Sequence, residues 1–211
     1  MLDLYLIRHG QSTANEKPFI VGGQTNGAEL TVKGGRQAVA LGKRLLEDKI
    51  GFDAVYSSTA VRAKQTAVLA CRQMGFPAGR IMYSPSLLEQ SMGDWEGKSK
   101  ARVYTAEVRH ALNMNNWLYL PPNGESWRDV ETRMHYFIQK LVPKTGRKTV
   151  ALFTHGMAIK CFLKGVMEYS ASTAIKMKVS NTAICQAAYD SHGWRVIRIN
   201  DFAHLKGPII S

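Results

Sequence analysis

Leu2-Asp3-Leu4-Tyr5-Leu6-Ile7-Arg8-His9-Gly10-Gln11-Ser12-Thr13-Ala14-Asn15 carries an apolar, β-forming run straight into a cation, an imidazole and a glycine. A run of this kind, followed by a helical pattern, reads as a strand that opens a βα unit. Two further apolar runs, Ala54 to Tyr56 and Val150 to Phe153, end in the same way. After the first run Thr31 can cap a helix in which Ala38, Leu41 and Leu45 share a face. Ala63, Ala67, Ala70 and Met74 repeat the pattern after the second run, and Ile159, Phe162 and Val166 after the third. The alternation predicts an α/β fold. Near the end, Thr182 to Tyr189 and Trp194 to Ile199 flank Asp190-Ser191-His192-Gly193, the pattern of an antiparallel hairpin on a sheet edge. The sheet is therefore expected to be mixed.

Between about Leu87 and Lys148 the βα rhythm is lost. This stretch holds Trp95, Trp117, Trp127, Tyr119 and Pro121-Pro122. It also holds a helix expected from Ser126, capped reciprocally by Asp129, with Val130, Met134, Ile138 and Leu141 as its apolar stripe. It reads as a helical, lid-like insertion over the site, within one domain spanning 1–211. Its aromatic residues either line a pocket or pack beneath the lid.

The whole chain of 211 residues is 45% hydrophobic and 21% charged, a composition for one substantial core. No apolar stretch approaches the roughly 18 residues that cross a bilayer, and no basic-then-apolar leader opens the chain. Cys71, Cys161 and Cys185 are odd in number and far apart, with no Cys-x-x-Cys pair, which suits a reducing cytoplasm. The formal charge of +12 favours anionic partners. Its basic residues are spread from Arg8 to Lys206 without a basic tail or a nucleic-acid-binding motif. A small phosphorylated substrate is thus expected rather than nucleic acid. Oligomeric state has no signature here.

Ligands of open α/β sheets bind at the carboxyl ends of the strands, where Arg8 and His9 emerge. A neutral imidazole offers one nitrogen as a nucleophile if the other donates a hydrogen bond. Gly10 lets the backbone approach an anion, and Arg8 and Asn15 can donate to phosphate oxygens. Ser57-Ser58-Thr59-Ala60-Val61-Arg62 places Arg62 in the first turn of a helix. A cation there opposes the macrodipole unless an anion is shared with the free N–H groups. Thr154-His155-Gly156 repeats the first arrangement, so the two histidines converge if their strands are neighbours. Leu88-Glu89-Gln90-Ser91-Met92-Gly93-Asp94-Trp95-Glu96-Gly97 supplies carboxylates for a proton donor to the leaving oxygen. Glu89 is the first choice, with Asp94 and Glu96 as alternatives. Taken singly, each motif is equally compatible with a structural histidine, a solvated arginine or surface acids. No cluster has metal-ligand spacing, so no metal is expected.

Together, these ordered motifs resemble the histidine phosphatase superfamily, the phosphoglycerate mutase-like proteins, whose signature is Arg-His-Gly after the first strand. The likeness extends to Leu30-Thr31 through Gly34, Gln37-Ala38, Ser57 to Ala67 and Gly124-Glu125-Ser126. It implies a three-layer α/β/α sandwich with a mostly parallel sheet, and His9 as a phosphorylated nucleophile. It also implies Arg8, Arg62 and His155 around the phosphoryl group, Asn15 and Gly156 helping to hold it, Glu89 as acid and base, and neither a metal nor a dissociable cofactor. Gln11 stands where many relatives have Glu, outside the catalytic set. The expected activity is phosphomonoester hydrolysis. The alternatives are a bisphosphoglycerate-dependent phosphoglycerate mutase, whose longer insertion has no clear match in Arg102, Tyr104 and Arg109, and a non-catalytic phospho-ligand binding module.

Overall fold

A computed structural model describes residues 1–205. Residues 206–211, with Lys206 and the end of the expected 1–211 domain, lie outside the described residues. Six strands form one sheet: β1 (Leu2–Arg8), β2 (Ala54–Ser58), β3 (Ile81–Ser84), β4 (Lys148–Thr154), β5 (Ile184–Asp190) and β6 (Gly193–Asp201), in the order β3-β2-β4-β1-β5-β6. Neighbours from β3 to β1 run parallel, while β5 is antiparallel to both β1 and β6. The sheet is mixed and the hairpin closes one edge, as the alternation and the Asp190–Gly193 turn indicate.

Helices cover both faces. Leu2, Leu4 and Leu6 of β1 and Val150 and Leu152 of β4 point into one core with α5 (Trp127–Gln139) and α6 (Gly156–Met167). Tyr5, Ile7, Ala151 and Phe153 point into the other, against α1 (Val32–Glu47) and α2 (Val61–Met74). Strand side chains alternate between faces, so central strands buried on both sides become the near-continuous apolar runs seen in the sequence. The result is the three-layer α/β/α sandwich.

Thr31 caps α1 by accepting from the Gly34 N–H at 3.0 Å. Ser126 and Asp129 form a capping box on α5, whose Val130, Met134 and Ile138 are buried. Within the 87–148 stretch, α5 thus belongs to a core layer. By contrast α3 (Lys100–Val103) and α4 (Ala106–Asn115) lie outside both core clusters. Strand β3 and helix α7 (Ala171–Lys176) have no counterpart in the sequence reading. At only four residues, with Met82 and Tyr83 exposed on the sheet edge, β3 lacks the apolar alternation that identifies a strand. The hairpin begins at Ile184 rather than Thr182, because Thr182 has a left-handed φ of 55°.

Two features of this scaffold aim the strand ends. Leu2 to Arg8 pair in parallel with Lys148 to Thr154, placing Arg8 opposite Thr154, so His9 and His155 leave the sheet side by side. The turn after His9 then lies against the start of α1. A Cβ at Gly10 would stand 2.6 Å from the Gly34 carbonyl oxygen, an approach that only glycine permits.

Candidate active site

His9 is held on all sides. Its N–H donates to the Thr154 carbonyl at 3.0 Å, and its carbonyl accepts from the Asn181 side chain at 3.0 Å. The Gly10 N–H donates to Thr66 Oγ1 at 3.0 Å, and that hydroxyl donates to the Arg62 carbonyl at 2.7 Å. His9 Nδ1 lies 2.6 Å from the Gly10 carbonyl oxygen. A carbonyl can only accept, so Nδ1 carries the proton and Nε2 keeps its lone pair. Arg62 Nε, which can only donate, approaches that Nε2 at 3.1 Å.

The same reasoning fixes His155. Arg62 Nη2 lies 3.1 Å from His155 Nδ1, which must accept, so Nε2–H donates to Ser58 Oγ at 2.9 Å. The two rings meet edge to face at 5.1 Å. Burial pushes both imidazoles well below the ordinary histidine pKa. The Arg8 and Arg62 charges push His9 further, and His155 is lowered further by His9 and Arg62. Both rings are therefore neutral at neutral pH.

Arg62 is 3% exposed. Its remaining N–H groups go to carbonyls of one loop, at 2.8 Å (Gln24), 2.9 Å (Thr25) and 3.3 Å (Gly23). On the other side of that loop, Glu96 accepts from the N–H groups of Gln24 at 3.0 Å and Thr25 at 3.1 Å, and from Met92 at 3.0 Å. Gly23, at φ 127°, passes so close to Glu96 that a Cβ would collide with its carboxylate. Glu96 thus holds the loop that holds Arg62. Asp94 takes no part: exposed, it accepts from Asn123 Nδ2 at 3.0 Å.

Arg8 donates from Nη1 to the Val179 carbonyl at 2.7 Å, while its buried Nε has no partner among the described residues. Gly156 covers it, a Cβ there standing 3.5 Å from Nε. Asn15 Oδ1 accepts from the Ser12 N–H at 3.1 Å and hydroxyl at 3.2 Å, which leaves its Nδ2 to donate elsewhere. The Glu89 carboxylate sits on the first turn of α6, accepting from the N–H groups of Met157 and Ala158 at 3.1 Å each, with the Gln90 N–H also at 3.1 Å. Its charge acts on both Arg8 and Arg62. Arg133 braces it from behind, donating to the Glu89 carbonyl at 3.0 Å while paired with Glu125 at 2.9 Å.

All the sequence-predicted residues except Asp94 therefore gather at the ends of β1, β4 and β2. Glu96 joins them as a loop support, not beside the guanidinium face. Sequence reasoning missed Asn181, Thr66, the Ser58 hydroxyl as partner of His155, and the Arg133–Glu125 brace. Ser58 and Thr66 fall within the Ser57 to Ala67 stretch and Glu125 within Gly124-Glu125-Ser126, whereas Asn181 and Arg133 left no trace. The arrangement offers an imidazole lone pair beside two desolvated guanidiniums, one with a free donor, and a carboxylate at a helix N-terminus. That combination can bind an oxyanion and attack it. Among the described residues, no three His, Cys, Asp or Glu side chains cluster as a metal site, and no helix is long and apolar enough to cross a membrane.

The model of the histidine phosphatase superfamily (branch 1) matches residues 4–202. A 2,3-bisphosphoglycerate-dependent phosphoglycerate mutase from Bartonella tribocorum is 35% identical over 164 residues, 76% of this chain and 79% of that protein. Among solved structures, phosphoserine phosphatase from Entamoeba histolytica in complex with 3-phosphoglyceric acid superposes with a TM-score of 0.82 at 25% identity, covering 97% of this chain and 100% of that one. A mycobacterial glucosyl-3-phosphoglycerate phosphatase complexed with VO3 gives a TM-score of 0.79 at 26% identity, covering 94% and 98%.

Two outcomes follow from this geometry. Without bound phosphate, the folded chain keeps His9 and His155 neutral where the unfolded chain takes up protons below about pH 6.5, so stability falls as pH drops through that value and is level above it. Each ring contributes about 1.4 kcal/mol per pH unit in that window. Urea melts between pH 8 and 5, with imidazole 15N spectra for His9, check this; a flat stability profile would refute it. Glu96→Gln removes the charge that anchors the Arg62 loop and should cost roughly 1.5–3 kcal/mol of unfolding free energy. Asp94→Asn should stay within about 0.5 kcal/mol in the same melts.

Proposed function

The chain belongs to the histidine phosphatase superfamily (branch 1), and from that premise we propose that it hydrolyses phosphomonoesters through a phosphohistidine on His9. One observation carries the reading: the His9 Nε2 lone pair, its tautomer fixed by the Gly10 carbonyl, faces the Arg62 guanidinium while the buried Arg8 Nε has no partner. A phosphoryl group entering here takes donors from Arg8 and from Asn15 Nδ2, while Arg62, whose N–H groups are engaged, contributes its positive charge, and together they neutralise the equatorial oxygens. His9 Nε2 attacks phosphorus in line. The N–P bond forms as the P–O ester bond breaks, and the leaving oxygen takes a proton from Glu89, whose carboxylate receives it from the monoprotonated phosphate ester on binding. Glu89, now a carboxylate, accepts a proton from water as that water attacks phosphorus. The N–P bond breaks and phosphate departs. His155, held neutral by burial, accepts from Arg62 Nη2 and so orients the guanidinium whose charge faces the phosphoryl group.

Mutase activity is the second reading, favoured by the name of the Bartonella relative. It requires bisphosphoglycerate, a highly charged ligand, to be retained against Glu89. The cleft beside Glu89 carries one cation, Arg109, among mostly aromatic and aliphatic walls, which supports release to water. A binding module needs the arginines but neither a positioned nucleophile nor an acid. We take the substrate to be a small phosphorylated metabolite, with α3 and α4 as a cover over this cleft within a single domain. The three buried, unpaired cysteines accord with a reducing cytoplasm.

Rapid-quench turnover should trap acid-labile phosphate on His9, and 3-phosphoglycerate should yield free phosphate with or without bisphosphoglycerate. Isomerisation that depends on bisphosphoglycerate, with little phosphate released, would establish the mutase instead. Glu89→Gln should slow phosphorylation by alkyl phosphates by about 10²–10⁴, because their alkoxides need the proton, and by much less for nitrophenyl phosphate. Equal losses in burst rate for both esters would remove Glu89 as the donor.

A further inference from the structure

The cleft beside Glu89 has a composition at odds with the rest of the molecule. Of about 440 Å³, it begins at Gln90 and Met157, the residue after Glu89 and the one whose N–H the Glu89 carboxylate accepts. The cleft thus adjoins Glu89, the group that serves the leaving oxygen in the reading above. Its walls are Trp95, Tyr104, Tyr119, Trp127, Leu112 and Met157. Trp95 stacks on Tyr119, with ring centroids 5.7 Å apart at 30°, and meets Tyr104 edge-on at 6.0 Å.

Charge is nearly absent from these walls. The chain has 28 lysines and arginines, yet Arg109 alone lines the cleft, without a lysine or an acid beside it. Arg109 is also partly committed, its Nε donating to the Tyr104 carbonyl at 2.9 Å. The Gln90 amide is engaged at both ends, accepting from Trp127 Nε1 at 2.9 Å and donating to the Glu125 carbonyl at 2.7 Å. What remains for a ligand is mostly apolar surface and the faces of flat rings, with Asn113, Asn116, the Arg109 Nη groups and the Tyr104 and Tyr119 hydroxyls as the polar groups. A cleft of this volume suits a ring-sized organic group. A short carboxylated alcohol would leave most of it unfilled and set its charge against indoles and aliphatic carbons, at a desolvation cost.

Resting on the hydrolase reading above, we propose that the substrates are phosphomonoesters of alcohols that carry a planar aromatic ring, seated in this cleft against the Trp95–Tyr119 pair. Aromatic stacking and the burial of apolar area supply the discrimination. The difference falls mainly on KM, because the ring is bound equally before and during phosphoryl transfer.

The test compares four unactivated esters with similar leaving alkoxides: 2-(naphthyl)ethyl, 2-(cyclohexyl)ethyl and ethyl phosphate, and 3-phosphoglycerate. The expected kcat/KM is roughly 10- to 100-fold higher for the naphthyl ester than for ethyl phosphate, as burial of one ring system implies. The cyclohexyl ester should fall between them and 3-phosphoglycerate should show no advantage. Trp95→Ala should pull the naphthyl-to-ethyl ratio toward one, and Trp95→Phe, which keeps a ring and guards against misfolding, should retain most of it. A ratio near one in the wild-type protein, a preference for 3-phosphoglycerate, or a ratio untouched by Trp95→Ala would overturn the proposal. If no ester is turned over, the hydrolase reading fails separately. Tryptophan-fluorescence titration of His9→Ala then decides the cleft, tighter binding of naphthylethyl than of ethyl phosphate upholding it and equal binding sinking it.

Discussion

Arg62 is buried to 3% exposure and donates to two imidazoles and three backbone carbonyls, none of which bears a charge. A guanidinium stays charged under almost any condition, so taking it out of water without a contacting carboxylate leaves an unbalanced cation. Arg8 lies close enough to lower the Arg62 pKa further. The surrounding structure responds to this constraint. Neutral histidines serve as acceptors, carbonyls are turned inward from the 23–25 loop, and the compensating carboxylates Glu89 and Glu96 act on Arg62 by charge without touching it. A dianionic phosphate is the ligand that such a cluster neutralises best.

The strand register supplies the precision that charge alone cannot. Because β1 and β4 are parallel neighbours, Arg8 pairs with Thr154 and the next residue of each strand is a histidine. The centre of the site was therefore legible in the sequence: apolar runs marked the strands, and Arg8-His9-Gly10 and Thr154-His155-Gly156 marked their ends. Arg62 was legible by its misfit with the helix dipole, and Glu89 by its place in the 88–97 motif. The illegible parts have a common cause. Arg62 is held mainly by main-chain carbonyls of residues 23–25, and carbonyl ligands leave no side-chain signal. Asn181 reaches His9 from 172 residues away, and no local pattern encodes that contact. Strand β3 escaped for a different reason, since an exposed edge strand of four residues lacks the burial that writes a period into the sequence.

Family membership and reaction live on different parts of the molecule. The matched motifs lie at the strand ends and their supports, and on the proposed reading these carry a phosphohistidine that can discharge to an alcohol or to water. What decides between them is whether the departing group is retained beside Glu89, and that depends on the 93–121 segment. The likeness to a mutase by sequence and to phosphatases by structure reflects a shared strand-end apparatus. Here the cleft walls are rings and aliphatic carbons with one arginine, poor surroundings for a short multiply charged acid.

Glu96 ties these two parts together. One of its oxygens accepts from Met92, at the root of the cleft segment, and from Gln24, while the other accepts from Thr25. The Gly23–Gln24 and Gln24–Thr25 peptide groups thus turn their N–H bonds toward a carboxylate and their carbonyls, those of Gly23 and Gln24, toward Arg62. Each peptide dipole is aligned by the anion on one side and the cation on the other, which strengthens both contacts in a medium of low dielectric. Trp95, whose ring forms the cleft wall, is the residue immediately before Glu96. A displacement of that wall is therefore carried through one carboxylate and two peptide units to the guanidinium that orients His9. The loop that holds Arg62 and the cleft wall at Trp95 thus share a single anchor in Glu96, so the alignment of one constrains the other.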